Sequence, residues 1–306
     1  MLAQVSTTIV LVVGASGTPE YGEAFATWAE RWEAAAARGG ASVIRIGPGA
    51  TPDESAETDR GRLEGVLAAQ PPAGDAPLWF VFLGHGTYDG QHARLNLRGP
   101  DVAAGELAEW LAPVERPTAV VVCAAASGPF VNELSRRGRT VVTATKSGQQ
   151  YSFSRFGDYL SQALGSPQAD LDRDAQVSLH EAFLYASAGV EAFYANESRL
   201  ATEHALLDDN GDGLGTPARW FRGVRSTRKP EGDRLADGVL AHRLHLIESA
   251  NERALPLEMR RERDDLERRI EKLRLQKEDL PESDYYRRLE ELMLRLARLY
   301  ASAGGG

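Results

Sequence analysis

Five continuous apolar runs recur along the first half of this chain, and stretches with helical spacing separate them. Thr8–Val13 is typical, a β-branched run followed by the turn sequence GASG. Runs of this kind indicate strands buried on both faces. The other four are ASVIRI, LWFVFL, TAVVVCA and RTVVTAT. Helical spacing at 21–38, 55–69 and 105–111 completes a β-α-β order, which predicts an α/β fold with a mostly parallel sheet flanked by helices.

The second half of the sequence has a different pattern, with helices predicted at 153–164, 178–190 and 235–249. Beyond residue 254, two heptad stripes are separated by LPES, which predicts a C-terminal helical hairpin. The stripes consist of Met259, Leu266, Ile270 and Leu273, then Tyr286, Leu289, Met293, Leu296 and Tyr300. We expect one domain at 1–250, including an acidic segment at 165–216, and the hairpin at 251–303. The hairpin either packs on the body or serves as an arm for a homo-oligomer or a partner protein.

Composition excludes several classes of protein. The net charge of −9 argues against nucleic acid as a partner. The single cysteine excludes an intrachain disulfide framework. Because no apolar run is long enough, no membrane span is expected. We expect a protein of the cytoplasm, or one exported after removal of a signal that this chain does not carry.

Two motifs follow predicted strands. FVFLGHGTYDG contains His85 and Gly86, and PTAVVVCAAASGPF contains Cys123 and Ala125. In parallel sheets, sites form beyond the carboxyl ends of the strands. A thiolate nucleophile needs an imidazole that takes its proton and returns it to the leaving amine. A glycine beside that imidazole lets a backbone N–H approach the developing oxyanion.

The order of these motifs over residues 7–164 resembles the caspase–legumain group of cysteine peptidases (clan CD), nearest its legumain-like branch and bacterial relatives. The resemblance implies a caspase-like (caspase–haemoglobinase) fold and endopeptidase activity on peptides or proteins, with no organic cofactor. It implies that His85 is the general base and that Gly86 contributes to the oxyanion hole. It also implies that the loop after the fifth strand, with Thr145, Lys146 and Ser147, helps form the primary specificity pocket.

The position of the nucleophile is the point where the pattern departs from the group. Counting back two residues from Ser127, or forward from Pro117, leads to Ala125, and Cys123 lies two residues earlier. Three interpretations are open. A local shift makes Cys123 the nucleophile, or alanine has replaced a catalytic residue at 125. In the third, the protein is a pseudoenzyme that binds a peptide or partner in the same cleft. Acyl transfer to an amine is a lesser variant of the peptidase interpretation.

The acidic segment contains the sequence DLDRDAQVSLHE, whose spacing matches an EF-hand calcium loop. Its candidate ligands are Asp170, Asp172, Asp174, the backbone carbonyl of Gln176, Ser178 and Glu181. Ala175 stands where such loops have glycine, because the position requires a positive φ. A second loop repeats the spacing with Asp208, Asn210 and Asp212 but lacks a closing carboxylate. The sequence therefore predicts structural calcium. His242 and His245, at i,i+3 spacing, are interpreted as a helix-surface pair, with metal ligation as the alternative.

Overall fold

The computed structural model describes residues 7–51, 58–232 and 234–303. Its strands are β1 (Thr8–Val13), β2 (Ser42–Ile46), β3 (Leu78–Leu83), β4 (Gly86–Tyr88), β5 (Ala93–Leu95), β6 (Val102–Ala103), β7 (Thr118–Cys123), β8 (Arg139–Thr143), β9 (Leu206–Asp208), β10 (Thr216–Pro217), β11 (Phe221–Arg222) and β12 (Arg225–Ser226). Its α-helices are α1 (Pro19–Gly39), α2 (Asp59–Ala68), α3 (Ala104–Leu111), α4 (Pro129–Leu134), α5 (Phe156–Ala163), α6 (Leu179–Asn196), α7 (Ala250–Ala254), α8 (Leu257–Leu275) and α9 (Glu282–Ala303).

The central sheet has the strand order β10-β9-β8-β7-β3-β1-β2. The five strands predicted from the sequence, β1, β2, β3, β7 and β8, pair in parallel. The mostly parallel α/β sheet is therefore confirmed. Two short antiparallel strands, β9 and β10, extend it beyond β8. These two strands were not predicted, because strands of two or three residues are too short to show a periodicity.

Alternate residues of the parallel strands build two apolar layers, one on each face of the sheet. Ile9 and Leu11 face the layer of α1, α5 and α6, whose largest side chains are Trp28, Trp32 and Trp79. Val10 and Phe80 face the layer of α2, α3 and α4. Both layers are fully buried, which explains why these strands appear as continuous apolar runs rather than as alternating ones.

The predicted helices are present with small shifts at their ends, with one exception. Residues 55–57, the start of the helix predicted at 55–69, lie outside the described residues, and α2 begins at Asp59. The helix predicted at 235–249 is wrong. A single 3-10 turn, Ala241–Arg243, occupies the middle of that range. Its backbone is instead used in tertiary contacts, since Leu244 accepts a hydrogen bond from the Leu179 N–H at 2.8 Å.

The C-terminal helices α8 and α9 pack against each other, as predicted for a hairpin. Leu266, Ile270 and Leu273 of α8 form its apolar interior, as the first stripe predicts. On α9 the buried side chains are Tyr285, Leu292 and Leu299, each one residue before a member of the second stripe. Leu289 and Leu296 of that stripe also pack against the interior, so the packing face of α9 overlaps the predicted stripe but is turned toward these three residues. As a result, Tyr286, Met293 and Tyr300 are about half exposed. Among the described helices, none has a stretch both long and apolar enough to span a bilayer.

A substitution at Gly157 of α5 tests how tightly the layer of α1 and α5 packs over the sheet. A methyl group there would lie 2.7 Å from Trp28 and 2.9 Å from the Cβ of Cys123. We expect Gly157→Ala to lower the free energy of unfolding by about 1–3 kcal/mol through overpacking. The matched control is Gly65→Ala in α2, where an added methyl meets no atom within 4 Å. It should raise stability by about 0.5–1 kcal/mol. Urea unfolding of both variants measures the difference, and an equal response of the two would contradict the packing described.

Candidate functional site

His85 lies two residues beyond the carboxyl end of β3. Its ring is enclosed by aromatic side chains, with ring centroids 5.0 Å from Tyr21, 5.2 Å from Phe25 and 6.1 Å from Phe153. Its Nε2 is 3.1 Å from the carbonyl oxygen of Ser16. Because a carbonyl can only accept, Nε2 carries the hydrogen in this contact and the neutral ring keeps Nδ1 as its basic nitrogen. The loop after β1 thus orients the imidazole and sets its tautomer.

The second block of residues, 123–127, begins with the last residue of β7, the parallel neighbour of β3. The register pairs Leu83 with Cys123, so the residues after both strands leave the sheet side by side. Gly86 lies so close to Ala125 that an added Cβ would collide with the carbonyl oxygen of Ala125. Only glycine permits this approach. The structure therefore brings the His85–Gly86 block against position 125, where counting from both flanks predicts the nucleophile position.

Cys123 has a different environment from Ala125. It is 1% exposed and belongs to the apolar layer that contains α1 and α5. Burial raises the pKa of its thiol far above the ordinary value, and the nearby Glu203 carboxylate raises the pKa further. Since the thiolate is the nucleophilic form of cysteine, this environment suits an inert core residue.

Glu203 was not predicted, and it organises the segment that covers His85. The side chain is 2% exposed. Its carboxylate accepts hydrogen bonds from the Ser154 hydroxyl at 2.6 Å and from the backbone N–H groups of Arg155 and Phe156 at 2.9 and 3.2 Å. Burial raises its pKa, while these hydrogen bonds act in the opposite direction. The carboxylate thereby fixes the start of α5 and the adjoining Phe153. No local motif marks it, because its partners lie almost 50 residues earlier in the sequence.

Hydrogen bonds connect the loop after β8 to residues 126–128, which follow the candidate nucleophile position. Ala126 has a positive φ of 53°, and its N–H donates to the carbonyl of Gln150 at 2.7 Å. The buried Ser127 hydroxyl accepts from the Thr145 N–H at 3.1 Å. Thr145 is itself fully buried, and its hydroxyl accepts from the Gly128 N–H at 3.1 Å.

Of the three residues expected at the specificity pocket, Thr145 is therefore buried and connects the loop to Ser127 and Gly128 by hydrogen bonds. Lys146 is exposed and Ser147 is partly exposed, so both have side chains that a ligand could reach. Their participation in substrate binding stays a prediction.

The acidic loop brings Asp170, Asp172 and Asp174 together, with one carboxylate oxygen of each within 4.8 Å of the others. Ala175 adopts a φ of 67°, the conformation that the calcium-loop pattern requires at this position. Its N–H donates to the carboxylate of Asp170 at 3.0 Å. An alanine in the left-handed region costs about 1 kcal/mol relative to glycine, so the surrounding contacts have to compensate for this strain.

Glu181, expected to close the loop, is completely buried. It accepts hydrogen bonds from the Leu171 N–H at 2.8 Å, the Ser178 N–H at 2.9 Å and the Ser178 hydroxyl at 2.8 Å. Ser178 and Glu181 form a capping box at the start of α6. The side chain of Gln176 accepts a hydrogen bond from the Ser249 N–H at 3.0 Å. These three residues are thus engaged within the protein. The three aspartates also accept backbone hydrogen bonds within the loop, and one oxygen of each lies within 4.8 Å of the others.

The second loop repeats the backbone shape of the first. Gly211 and Gly213 have φ values of 75° and 72°, and their N–H groups donate to Asp208 at 3.0 and 2.8 Å. Asn210 and Asp212 each accept a hydrogen bond from the backbone two residues further on. The glycines that the first loop lacks are present here.

Behind the second loop lies a pair of buried carboxyl groups that sequence reasoning missed. Asp209 accepts from the N–H groups of Gly238 and Ala241 at 3.1 and 2.7 Å. Asp237 accepts from the Asp209 N–H at 3.1 Å and from the Thr216 hydroxyl at 2.5 Å. Burial raises the pKa of Asp209 to about 8 and that of Asp237 to about 6. The sequence signal for Asp209 is the pair of adjacent aspartates in DDNGDG, since a turn of this kind uses the side chain of only one aspartate.

No protein-family model matches this sequence, and no curated protein matches it. Among solved structures, the chain is similar to the Drosophila initiator caspase Dronc, with 10% identity and a TM-score of 0.44, over 69% of this chain and 81% of that chain. It is similar to caspase-1 from Spodoptera frugiperda, with 11% identity and a TM-score of 0.41, over 67% and 86% of the two chains. It is also similar to Raptor from Chaetomium thermophilum, with 11% identity and a TM-score of 0.35, over 54% of this chain and 18% of that one. At such identities a likeness concerns the fold at most and leaves the activity open.

Proposed function

We propose that this chain carries a cysteine-peptidase site of the caspase-like type, in which position 125 is the nucleophile position. The observation that carries the proposal is the close approach of Gly86 to the backbone of Ala125, with His85 oriented beside it by Ser16. Alanine has no group that can attack a peptide bond. In the present sequence the site would therefore bind a peptide segment without cleaving it, and a cysteine at 125 would make it an endopeptidase.

The roles of the residues follow from this geometry. With a thiol at position 125, Nδ1 of His85 would take its proton, and the thiolate would attack the carbonyl carbon of the substrate. The imidazolium would then donate that proton to the leaving amine, and water would release the acyl group. The N–H groups of Gly86 and of residue 125 are the proposed oxyanion donors. The legumain-like relationship rests on the sequence motifs and belongs to the same proposal.

The rival interpretation, in which Cys123 is a shifted nucleophile, is less well supported. A catalytic cysteine needs a lowered pKa and access to substrate. Cys123 has a raised pKa and almost no exposed surface. The sulfur would have to leave the apolar layer beneath α5 before it could react.

A thiol-reactive peptide probe tests the nucleophile position. In a Cys123→Ser background the only thiol is then the one introduced by Ala125→Cys. We expect the double variant to be labelled by a panel of peptidyl electrophiles and to hydrolyse peptides, and the original chain to do neither. Adding His85→Gln should slow labelling by about 10²- to 10⁴-fold through loss of the general base. The matched control is His92→Gln, a histidine whose side chain is 60% exposed on a neighbouring loop.

Two outcomes would contradict this assignment. Labelling of the original chain that disappears in Cys123→Ser would identify Cys123 as the nucleophile. A folded Ala125→Cys variant that neither reacts nor cleaves would favour the second candidate, a silent scaffold that binds a partner. The exposed side chains of Tyr286, Met293 and Tyr300 on α9 favour that candidate, since they offer apolar surface for a partner or a second copy.

We also propose that the acidic loop binds calcium as a structural ion. Three carboxylates converge there, and the loop already has the turn that places them on one side. Calcium prefers several oxygen ligands in flexible geometry. Glu181 is already saturated with hydrogen bonds, so we assign Asp170, Asp172 and Asp174 as the principal ligands and expect weak affinity. The second loop is the proposed site for a second ion, with ligands Asp208, Asn210 and Asp212.

Thermal melting with calcium and with chelator tests these ions. A ligand that binds only the folded state at a hundredfold excess over its Kd adds about 2.7 kcal/mol of stability. We expect calcium to raise the Tm of the chain and Asp170→Asn to reduce that rise. The control is Asp284→Asn on α9, whose side chain is 46% exposed. An unchanged Tm in millimolar calcium would exclude the site.

The buried carboxyl pair predicts a pH dependence of stability. In the folded chain Asp209 keeps its proton up to a pKa of about 8, whereas its ordinary value is 3.8. The folded state thus binds more protons than the unfolded state in this interval, so stability falls as the pH rises from about 4 to about 8. Asp209→Asn removes this contribution. We expect wild type to lose stability relative to the variant between pH 5 and pH 8, as measured by urea unfolding in chelator. Parallel pH profiles would show that Asp209 titrates normally.

A further inference from the structure

Residues 219–229, which we call the basic β-hairpin, carry positive charge only. They contain β11 and β12, which pair antiparallel around a turn at Gly223. Their basic side chains are Arg219, Arg222, Arg225, Arg228 and Lys229. No Asp or Glu lies in this stretch, although the whole chain has a net charge of −9. A local cluster of one sign in a chain of the other sign indicates an interaction surface.

Phe221 attaches the basic β-hairpin to the core. It is 9% exposed, and its ring centroid lies 6.2 Å from that of Phe183 on α6. Because side chains alternate along a strand, the next residue, Arg222, points to the opposite side, where it is exposed. The N–H of Thr227 donates to the carbonyl of Trp220 at 2.7 Å and closes the base of the hairpin. A packed and hydrogen-bonded backbone therefore presents the arginines.

Arg222 and Arg225 lie directly opposite each other in the register of β11 and β12, and both are exposed. Residues opposite each other in an antiparallel pair have Cβ atoms about 4.5–5.5 Å apart, and like charges at such positions repel. Within the part of the chain that the structure describes, no carboxylate forms an ion pair with either arginine. An anionic group bound between the two guanidinium groups would remove this repulsion.

Trp220 adds an aromatic surface beside the arginines. It is 40% exposed. The guanidinium carbons of Arg219 and Arg228 lie 5.9 and 5.8 Å from its ring centroid, within the range of a cation–π contact. Tryptophan and arginine are the residue types most enriched at the energetically important centres of protein–protein interfaces. The basic β-hairpin thus offers a partner both charge and apolar contact.

The surroundings of the basic β-hairpin favour a short acidic segment as its partner. Arg228 is paired with Asp212 at 3.7 Å, and Lys229 is paired at 2.5 Å with Glu278, whose side chain is 79% exposed. Acidic groups therefore adjoin the basic surface. The phosphates of a nucleic-acid duplex or the headgroups of an anionic bilayer extend well beyond one hairpin and would meet these carboxylates. Arginine, the predominant cation here, binds single carboxylates through two parallel hydrogen bonds.

We propose that the basic β-hairpin is a docking surface for an acidic segment of a partner protein, one that combines Asp or Glu with an apolar side chain. A carboxylate of the segment binds between Arg222 and Arg225, and its apolar side chain packs on Trp220. The proposal is independent of the peptidase site and of the calcium loops, because these three residues belong to neither.

Fluorescence anisotropy of a labelled peptide of glutamate and leucine, titrated with the full chain, tests the surface. We expect saturable binding that weakens as salt is added, and no binding of the same peptide with glutamine in place of glutamate. Arg222→Gln combined with Arg225→Gln should raise the Kd by about 10-fold. The matched control is Arg268→Gln combined with Arg269→Gln on α8, which removes the same charge from side chains that are 47% and 49% exposed. The control should bind like wild type.

Thermal melting separates docking from a structural role. Because the two arginines repel each other in the free chain, their double variant should melt at or above the Tm of the control. A lower Tm would show that the pair stabilises the fold and would overturn the proposal. The proposal is also overturned if wild type does not bind the acidic peptide, or if the Arg222/Arg225 variant binds it as tightly as wild type. Tighter binding of a DNA oligonucleotide or of phosphatidylserine vesicles, lost in the same variant, would replace the acidic protein by nucleic acid or membrane.

Discussion

The parallel register of β3 and β7 is the constraint on which the rest of the candidate site depends. Each strand is buried between two apolar layers, so a slip by one residue would exchange the side chains of the two faces. The register fixes where both strands end, and therefore sets Gly86 against Ala125. His85 is then oriented by one hydrogen bond to Ser16 and by the aromatic side chains around its ring. The geometry of the site is thus a consequence of core packing, whether or not a nucleophile occupies position 125.

The acidic half of the chain follows a different physical logic. Asp208, Asp209 and Asp237 are each at most 3% exposed, and burial of a carboxylate is costly unless it is protonated, hydrogen-bonded or close to a cation. Asp209 and Asp237 use the first two routes, as their raised pKa values and backbone partners indicate. The exposed Asp172 and Asp174 are close enough to share an ion. Asp208 is buried as well, but it belongs with Asp172 and Asp174 among the carboxylates that we propose to bind calcium.

Much of the candidate site could be predicted from local sequence because its elements are local. The strand ends, the histidine between glycines and the count to position 125 all depend on spacing within one segment. The loop spacing likewise predicted the positive φ at Ala175. Glu203 and Asp237 could not be found this way, because each binds backbone groups of a segment remote in sequence. The predicted helix at 235–249 failed for the same reason, since tertiary pairing with residues 178–179 replaced its internal hydrogen bonds.

The sequence by itself determined the α/β class, the five parallel strands and the hairpin, because a strand buried on both faces appears as a continuous apolar run and an amphipathic helix as a periodic one. Only the tertiary structure decided which face of α9 packs inward and which carboxyl groups are buried. It also distinguished Cys123, the last residue of β7, from Ala125, which lies in the turn that follows. Cys123 lies within the apolar layer, whereas Ala125 lies against Gly86. Their different environments come from residues distant in sequence that pack around them, which local spacing does not reveal.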